Sequence, residues 1–270
     1  MKRVRRCLVF VIVEVLLLTG CSRSNVPDNA HDILSVAYSN MGSLSSYSAT
    51  ATFQLSMKYT ESLKQTKVVS KITGVTDPME IMVEHRTDGE PASTYDYIYE
   101  KDGQVYRTSF GMKKWSSPVK VEQALLESLK SPVLFGIYLL DINSFEIVKR
   151  DKKNTLVEGK ISKEHLENAL KEAGALKQFS LTSLPKEVLE KIPEIKVRAW
   201  VDNTSVTITK LEVDMKESLQ ALTAALIGED SIASAEVTEG NMILEEIKRN
   251  EVTPVSIPSD IKNSLQETIN

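Results

Sequence analysis

The chain has 270 residues, a formal charge of -4 at pH 7 and a hydrophobic content of 41%, enough to build a substantial core without staples. Its acidic balance argues against non-specific nucleic-acid binding, which needs a basic footprint, and against a polybasic membrane-surface patch. No long low-complexity segment interrupts it, so the pattern is that of a folded chain and not of a disordered stalk.

Lys2, Arg3, Arg5 and Arg6 open the chain, and Cys7 to Leu18 is apolar apart from Glu14. A charged start, a short apolar core and small residues after it make a signal peptide. The apolar run is shorter than the roughly 18 residues that a membrane span needs. Leu18-Thr19-Gly20-Cys21 then resembles the lipobox of bacterial lipoproteins. That resemblance implies a diacylglyceryl group on the Cys21 thiol, cleavage after Gly20, and Cys21 as the new N-terminus. A thiolate is the nucleophile available for such chemistry. An ordinary signal peptide with a chance cysteine, or a short membrane anchor, are the alternatives the residues leave open. Residues 1–20 hold four basic residues and one acidic residue, so the remainder has 29 basic against 36 acidic residues, a net charge of -7. Cys21 is then the one cysteine left, which allows no internal disulfide.

Ser22 to Asn29 reads as a polar tether. Ile33, Ala37, Met41 and Leu44 recur at helical spacing, with Leu34 and Tyr38 widening the stripe. Asp28 or Asn29 can cap the start, and Gly42 with Ser45-Ser46 ends the helix. The segment YSATATFQLSMKYT alternates through fourteen positions. Tyr47, Ala49, Ala51, Phe53, Leu55, Met57 and Tyr59 share one face, which is predicted to be covered. Gln54, Ser56 and their neighbours are predicted to face water, as in an antiparallel sheet. Strands are expected at Lys67–Val75, after a loop around Glu61 to Gln65, and at Met79–Arg86. Tyr95, Tyr97 and Tyr99 alternate up to Asp102-Gly103, a strong hairpin signal, and Trp115 closes that region. Helices are expected at Val121–Leu129, Lys163–Ala173, Lys186–Ile192 and Glu217–Ile227. Strand pairs are expected at Phe145–Arg150 with Thr155–Ile161, and at Glu194–Asp202 with Val206–Met215 around Asn203-Thr204. Ala235–Val252 reads as strand, and Asp260–Ile269 as helix or turn.

His31, His85 and His165 stand on different elements, and no pair has metal-ligand spacing. There is no Gly-rich phosphate loop and no G-x-S-x-G elbow. Neither a cofactor nor a metal is expected, and no catalytic residue. Glu245-Glu246 and Asp28 with Asp32 read as solvated charge. Tyr95, Tyr97 and Tyr99 read as strand-face packing or a stacking site for a sugar. Val133–Leu140 reads as a buried core helix, a lid or a membrane-touching loop.

The hairpin YIYEKDGQVYRTSFGMKKW, Tyr97 to Trp115, is followed late in the chain by AWVDNTSVTITKLEVDM and NEVTPVSIPSDIKNS. With the lipobox and the long alternating strand, this order resembles the LolA/LppX-like superfamily of lipoprotein and lipid carriers. Within it, the order more closely resembles the small LolA-like lipoproteins of Gram-positive bacteria. The likeness spans about Ile33 to Ser264 and leaves Val119–Ile192 without a matching motif. It implies an α+β fold: a curved, mainly antiparallel sheet forming an open half-barrel, with helices packed on its concave side and acyl chains held between them.

The expected organisation is a signal peptide at 1–20, a lipidated Cys21 with tether at 21–29, and one LolA-like domain at 30–270. The expected function is a non-enzymatic lipoprotein anchored to the extracytoplasmic face of the cell membrane through Cys21. It would bind a lipid or other apolar ligand; the alternative is a structural or protein-interaction lipoprotein with a filled core. Candidate lining residues are Leu55, Met57, Ile81 and Val83 from strands, and Leu134, Ile137, Leu219 and Leu222 from helical cover. Methionine suits such a lining because it adapts to varied apolar shapes.

Overall fold

The computed structural model describes residues 26–42, 44–59, 62–110, 116, 118–121, 144–163, 186–227, 235–253, 255–259 and 261. Helix α1 (Ala30–Gly42) starts where Asn29 Oδ1 accepts the Asp32 N–H at 2.8 Å, and the Asn29 amide returns a bond to the Asp32 carboxylate. This reciprocal cap satisfies an orphan N–H of the first turn. Its stripe Ile33, Leu34, Ala37 and Met41 is buried.

The strands are β1 (Ser46–Tyr59), β2 (Ser62–Thr76), β3 (Met79–Thr87), β4 (Thr94–Lys101), β5 (Gln104–Phe110) and β6 (Val119–Lys120). They are followed by β7 (Glu146–Arg150), β8 (Asn154–Ile161), β9 (Ile195–Asp202), β10 (Thr207–Asp214) and β11 (Glu236–Arg249). Helix α2 (Lys186–Lys191) precedes β9, and helix α3 (Lys216–Ile227) lies between β10 and β11. All join one open sheet in the order β6-β5-β4-β3-β2-β1-β11-β10-β9-β8-β7. Every described pairing is antiparallel. Apart from β1 beside β11, neighbours in the sheet are consecutive in the chain.

The turns follow from local chemistry. Asp102 and Gly103 both have positive φ, 53° and 71°, which is the two-residue turn that matches strand twist. Asp151 Oδ1 accepts the N–H groups of Lys153 and Asn154 at 2.8 and 2.9 Å, turning β7 into β8. The β9–β10 turn runs to Val206 and not only over Asn203-Thr204. Asp202 Oδ1 accepts the N–H groups of Thr204 and Ser205, and Asn40 donates to the carbonyls of Ser205 and Val206. These bonds hold Val206 at a φ of 45° and delay the strand.

One face carries the main core. Tyr47, Ile72, Ile81, Ile98, Val197 and Leu211 belong to a single buried cluster with Ile33, Ala37 and Met41 of α1. Met215, Ala221 and Leu222 pack against the same cluster, so α1 and α3 share this face. The opposite face has its own smaller cluster: Tyr97 and Tyr99 with Val255, Ile257 and Ile261. The C-terminal segment thus lies on the tyrosine side of β4, where Tyr99 Oη donates to the Ile261 carbonyl at 3.4 Å. The tyrosine alternation is packing.

Two expectations are corrected. First, β2 begins at Ser62 and not at Lys67, because its ladder with β1 continues to Tyr59↔Ser62. The region expected as a loop to Gln65 is strand. Second, Ser56 is only 3% exposed. Its hydroxyl donates to Glu239 at 3.2 Å, beside the Gln54 amide at 3.0 Å. Cross-strand pairing of β1 with β11 puts these polar side chains against one another instead of leaving them in water.

Gly159 of β8 lies against the Phe145 ring, and a Cβ there would come within 2.4 Å of Phe145 Cδ2. Gly159→Ala is expected to destabilise the fold by about 1–3 kcal/mol through overpacking. Gly42 has nothing within 4 Å of the same position, so Gly42→Ala is expected to leave stability unchanged or raised by about 0.4–1 kcal/mol. Urea melts of the two variants check both.

Candidate functional site

The helix-bearing face is not uniform along β1. Tyr47 and Ala49 are buried near the start of the strand. Gly74, the partner of Tyr47, leaves space for packing that a Cβ would take: it would sit 2.9 Å from Ile81 Cγ1 and 3.3 Å from Tyr47 Cζ. Ile81 is fully buried and Val83 nearly so. These two candidate lining residues therefore belong to closed core.

Further along the same face Phe53, Leu55 and Met57 are only partly buried. Across β11 they stand beside Met242, Gly240 and Val237. Leu219 of α3 lies over Gly240, where a Cβ would come within 2.8 Å of Leu219 Cδ1. The missing side chain lets the helix approach the sheet. Leu55 pairs with Gly240, so Leu219 and Leu55 are neighbours across this approach. Leu222, partly buried, packs on the main core. The structure thus gathers Leu55, Met57 and Leu219 at the distal half of β1. Leu134 and Ile137 lie outside the described residues, as do Gly20, Cys21, Trp115 and the Val133–Leu140 block.

A polar group adjoins this apolar strip. Ser70 pairs with Ala51, and Val68 pairs with Phe53. Ser70 Oγ is 2.8 Å from His85 Nδ1 on β3. His85 Nε2 is 3.7 Å from Asp96 Oδ2 on β4, and Arg107 Nη2 of β5 donates to that oxygen at 2.5 Å. The register places all four on the helix-bearing face. Burial pushes the Asp96 pKa up. Bonds from His85, Ser109 and Arg107, with the Arg107 charge, outweigh that and hold it well below the usual carboxylate range.

The order Ser70, His85, Asp96 has the residue types of a nucleophile relay. The 3.7 Å gap and the central position of Ser70, with ladders on both sides, do not fit one. Backbone N–H groups committed to two ladders cannot form an oxyanion hole at Ser70. The cluster is suited to holding a polar group: Arg107 is 53% exposed at its side chain while Asp96 is 16% exposed. Sequence reading missed it, because it exists only once four strands are in register. Among the described residues no group of three or more His, Cys, Asp or Glu is placed to hold a metal ion.

Asp96 has a folded pKa below its unfolded value of about 3.8. Its stabilising contribution is therefore complete above that value and lost as pH falls below it. Asp96→Asn is expected to destabilise by about 1–3 kcal/mol at pH 6. The gap between variant and wild type is expected to narrow from pH 4 downwards. Urea melts at pH 6, 4 and 2.5 check the sign; a gap that widens toward acid contradicts it.

No family model matches the chain, and no curated protein sequence matches it. Solved structures similar to it include a LolA superfamily protein from Nitrosomonas europaea at 9% identity, covering 87% of this chain and 97% of that one with a TM-score of 0.31. A DUF1329 family protein from Desulfovibrio piger is similar at 8% identity, over 82% and 92% of the two chains, with a TM-score of 0.28. A domain from Vibrio parahaemolyticus, whose description names outer membrane lipoprotein sorting, is similar at 10% identity over 89% and 97%, with a TM-score of 0.30. The first of these is of the superfamily that the sequence motifs resemble, and at such TM-scores the likeness adds nothing to the reading of the site.

Proposed function

We propose that this chain is a non-catalytic lipoprotein of the bacterial cell envelope. It is held at the extracytoplasmic face of the membrane by lipid on Cys21, and binds the acyl part of an amphipathic ligand. In this reading the helix-bearing face is the concave side of a half-barrel. The acyl part lies along Phe53, Leu55 and Met57 beneath Leu219, and the headgroup is directed toward the polar cluster that begins at Ser70. The observation that carries the reading is the change along β1, from sealed core at Tyr47 to a half-buried apolar strip from Phe53 onward. Partly buried apolar residues next to a few convergent polar groups are the usual composition of a ligand site. The -7 balance beyond residue 20 gives no general attraction to an anionic headgroup, so selectivity rests on the acyl part.

The sealed packing of Tyr47, Gly74 and Ile81 favours the second reading, a structural or interaction module whose core is filled. Uptake of a fluorescent fatty acid by the full chain separates them. Wild type is expected to bind saturably, and Leu55→Asp is expected to lose at least about tenfold in affinity, since it places a charge where the acyl chain lies. Val148→Asp, at an exposed site on β7, is expected to bind as wild type does. No saturable uptake by wild type would leave the filled-core reading standing.

A further inference from the structure

Among the described residues, the distal half of β2 has a strand partner on one side only. Its ladder with β1 runs to Tyr59↔Ser62, whereas its ladder with β3 stops at Val68↔Thr87. Beyond Thr87 the chain turns away through Gly89, which has a φ of 86°. The direction of the free groups can be read from two bonds. Thr76 N–H donates to the Ser45 carbonyl on the β1 side at 3.0 Å, and Asp88 N–H donates to the Lys67 carbonyl on the β3 side at 2.9 Å. In an antiparallel strand both backbone groups of one residue point the same way, and successive residues alternate. Even-numbered residues of β2 therefore turn toward β1. Leu63 and Gln65 turn their N–H and C=O outward, past the end of β3. Ser62 to Lys67 are all exposed, and Leu63 is 56% exposed.

The charge on this hairpin is unlike that of the chain. The strands β1 and β2 contain no Asp or Glu, with Glu61 between them, and they carry Lys58, Lys64, Lys67 and Lys71. The chain as a whole is -4. Lys58 lies opposite Leu63, and Lys67 follows two positions on along the same face. Lys64 stands on the other face, 5.6 Å over the Tyr59 ring.

We propose that the free edge of β2 at Leu63–Lys67 accepts an extended, acidic segment of another protein as an added strand. Backbone bonds to Leu63 and Gln65 would align it. Lys67, with Lys58 of β1 on the same face of the sheet, would meet its carboxylates. A second copy of this chain fits poorly, because pairing two such edges sets two lysine-bearing strands without acidic residues side by side, and lysine at an edge is a device against that pairing.

A membrane surface also fits poorly with Cys21 as anchor. Arg150 holds the Pro27 carbonyl at 2.6 Å, next to the turn that Asn203 bonds through the Asp151 carbonyl. That end of the sheet is the start of β1, since Asn40 bonds the β9–β10 turn and Asn250 bonds Ser45. The tip at Tyr59 is 14 residues away, about 45 Å along the strand.

The test uses the full chain in detergent micelles and a labelled, blocked peptide of alternating Glu and Val, read by fluorescence anisotropy. Saturable binding is expected. The same peptide with alternate backbone amides methylated, and a Lys–Val peptide, are each expected to bind at least about tenfold more weakly. Gln65→Pro removes an outward N–H that has no partner in the β1 ladder. It is expected to weaken binding by a similar factor while Gln65→Ala does not. If Gln65→Pro fails to fold, the methylated peptide decides alone. No saturable binding, or equal binding of the methylated peptide, overturns the proposal. So does a wild-type dimer in light scattering that Gln65→Pro dissociates, which would mean a second copy. Binding to phosphatidylglycerol vesicles that is lost on Lys64→Glu, without peptide binding, would mean a membrane and also overturns it.

Discussion

The ladder between β1 and β11 joins the two halves of the molecule. On one side of it the strands run β1 to β6 as a meander, and on the other β11 back to β7. Every other described pairing joins strands consecutive in the chain. This one brings residues 47–58 against residues 236–249, and it carries the loop-closure entropy of nearly the whole fold. Such non-local pairing folds slowly, and here side chains fasten it at its end. Asn250 Oδ1 accepts the Ser45 N–H and hydroxyl at 2.9 and 3.0 Å, and Asn250 N–H donates to the Ser46 carbonyl at 2.8 Å. Thr50 donates to Glu246 at 2.7 Å, where Glu246 has a φ of 55° and the register shifts. The bulge keeps the apolar faces of both strands aligned on either side of it.

The lengths of these strands then determine what is left open. β1 and β11 each have 14 residues, while β9 and β10 have 8. A core fills the shared region, where α1 crosses the short strands. The overhang has no such cover from α1. It presents Phe53, Leu55 and Met57 on one face under α3, and polar residues around Glu239 on the other. The same overhang leaves β2 without β3 beside it. The apolar strip and the free edge are thus two consequences of one long central hairpin attached to shorter neighbours.

The sequence was legible where one physical signal dominated. The alternation from Tyr47 to Tyr59 marked β1 and its covered face, because burying one side of a strand imposes period two. Asp102-Gly103 marked its hairpin, because positive φ at two successive positions selects those residues. The extension of β2 was hidden: Ser62 to Lys67 has a single apolar residue, Leu63, so no period shows, and only pairing with β1 makes it strand. Ser56 looked exposed because its neighbours Leu55 and Met57 took the apolar face, yet Glu239 covers it across the ladder. The cluster of Ser70, His85, Asp96 and Arg107 needs the register of four strands, which no local pattern encodes. Of the proposed lining, Leu55 and Met57 follow from alternation alone. Ile81 and Val83 share that alternation but lie under sealed packing, a distinction that depends on Gly74 and Tyr47.

The proposed ligand is an acyl chain lying against the distal half of β1. Native mass spectrometry of the full chain purified from its own membranes tests this most directly. The predicted result is a population heavier than the protein itself by one non-covalently held amphipathic lipid, released when the gas-phase complex is activated. A single population free of non-covalent lipid, unchanged after incubation with excess fatty acid, would contradict it.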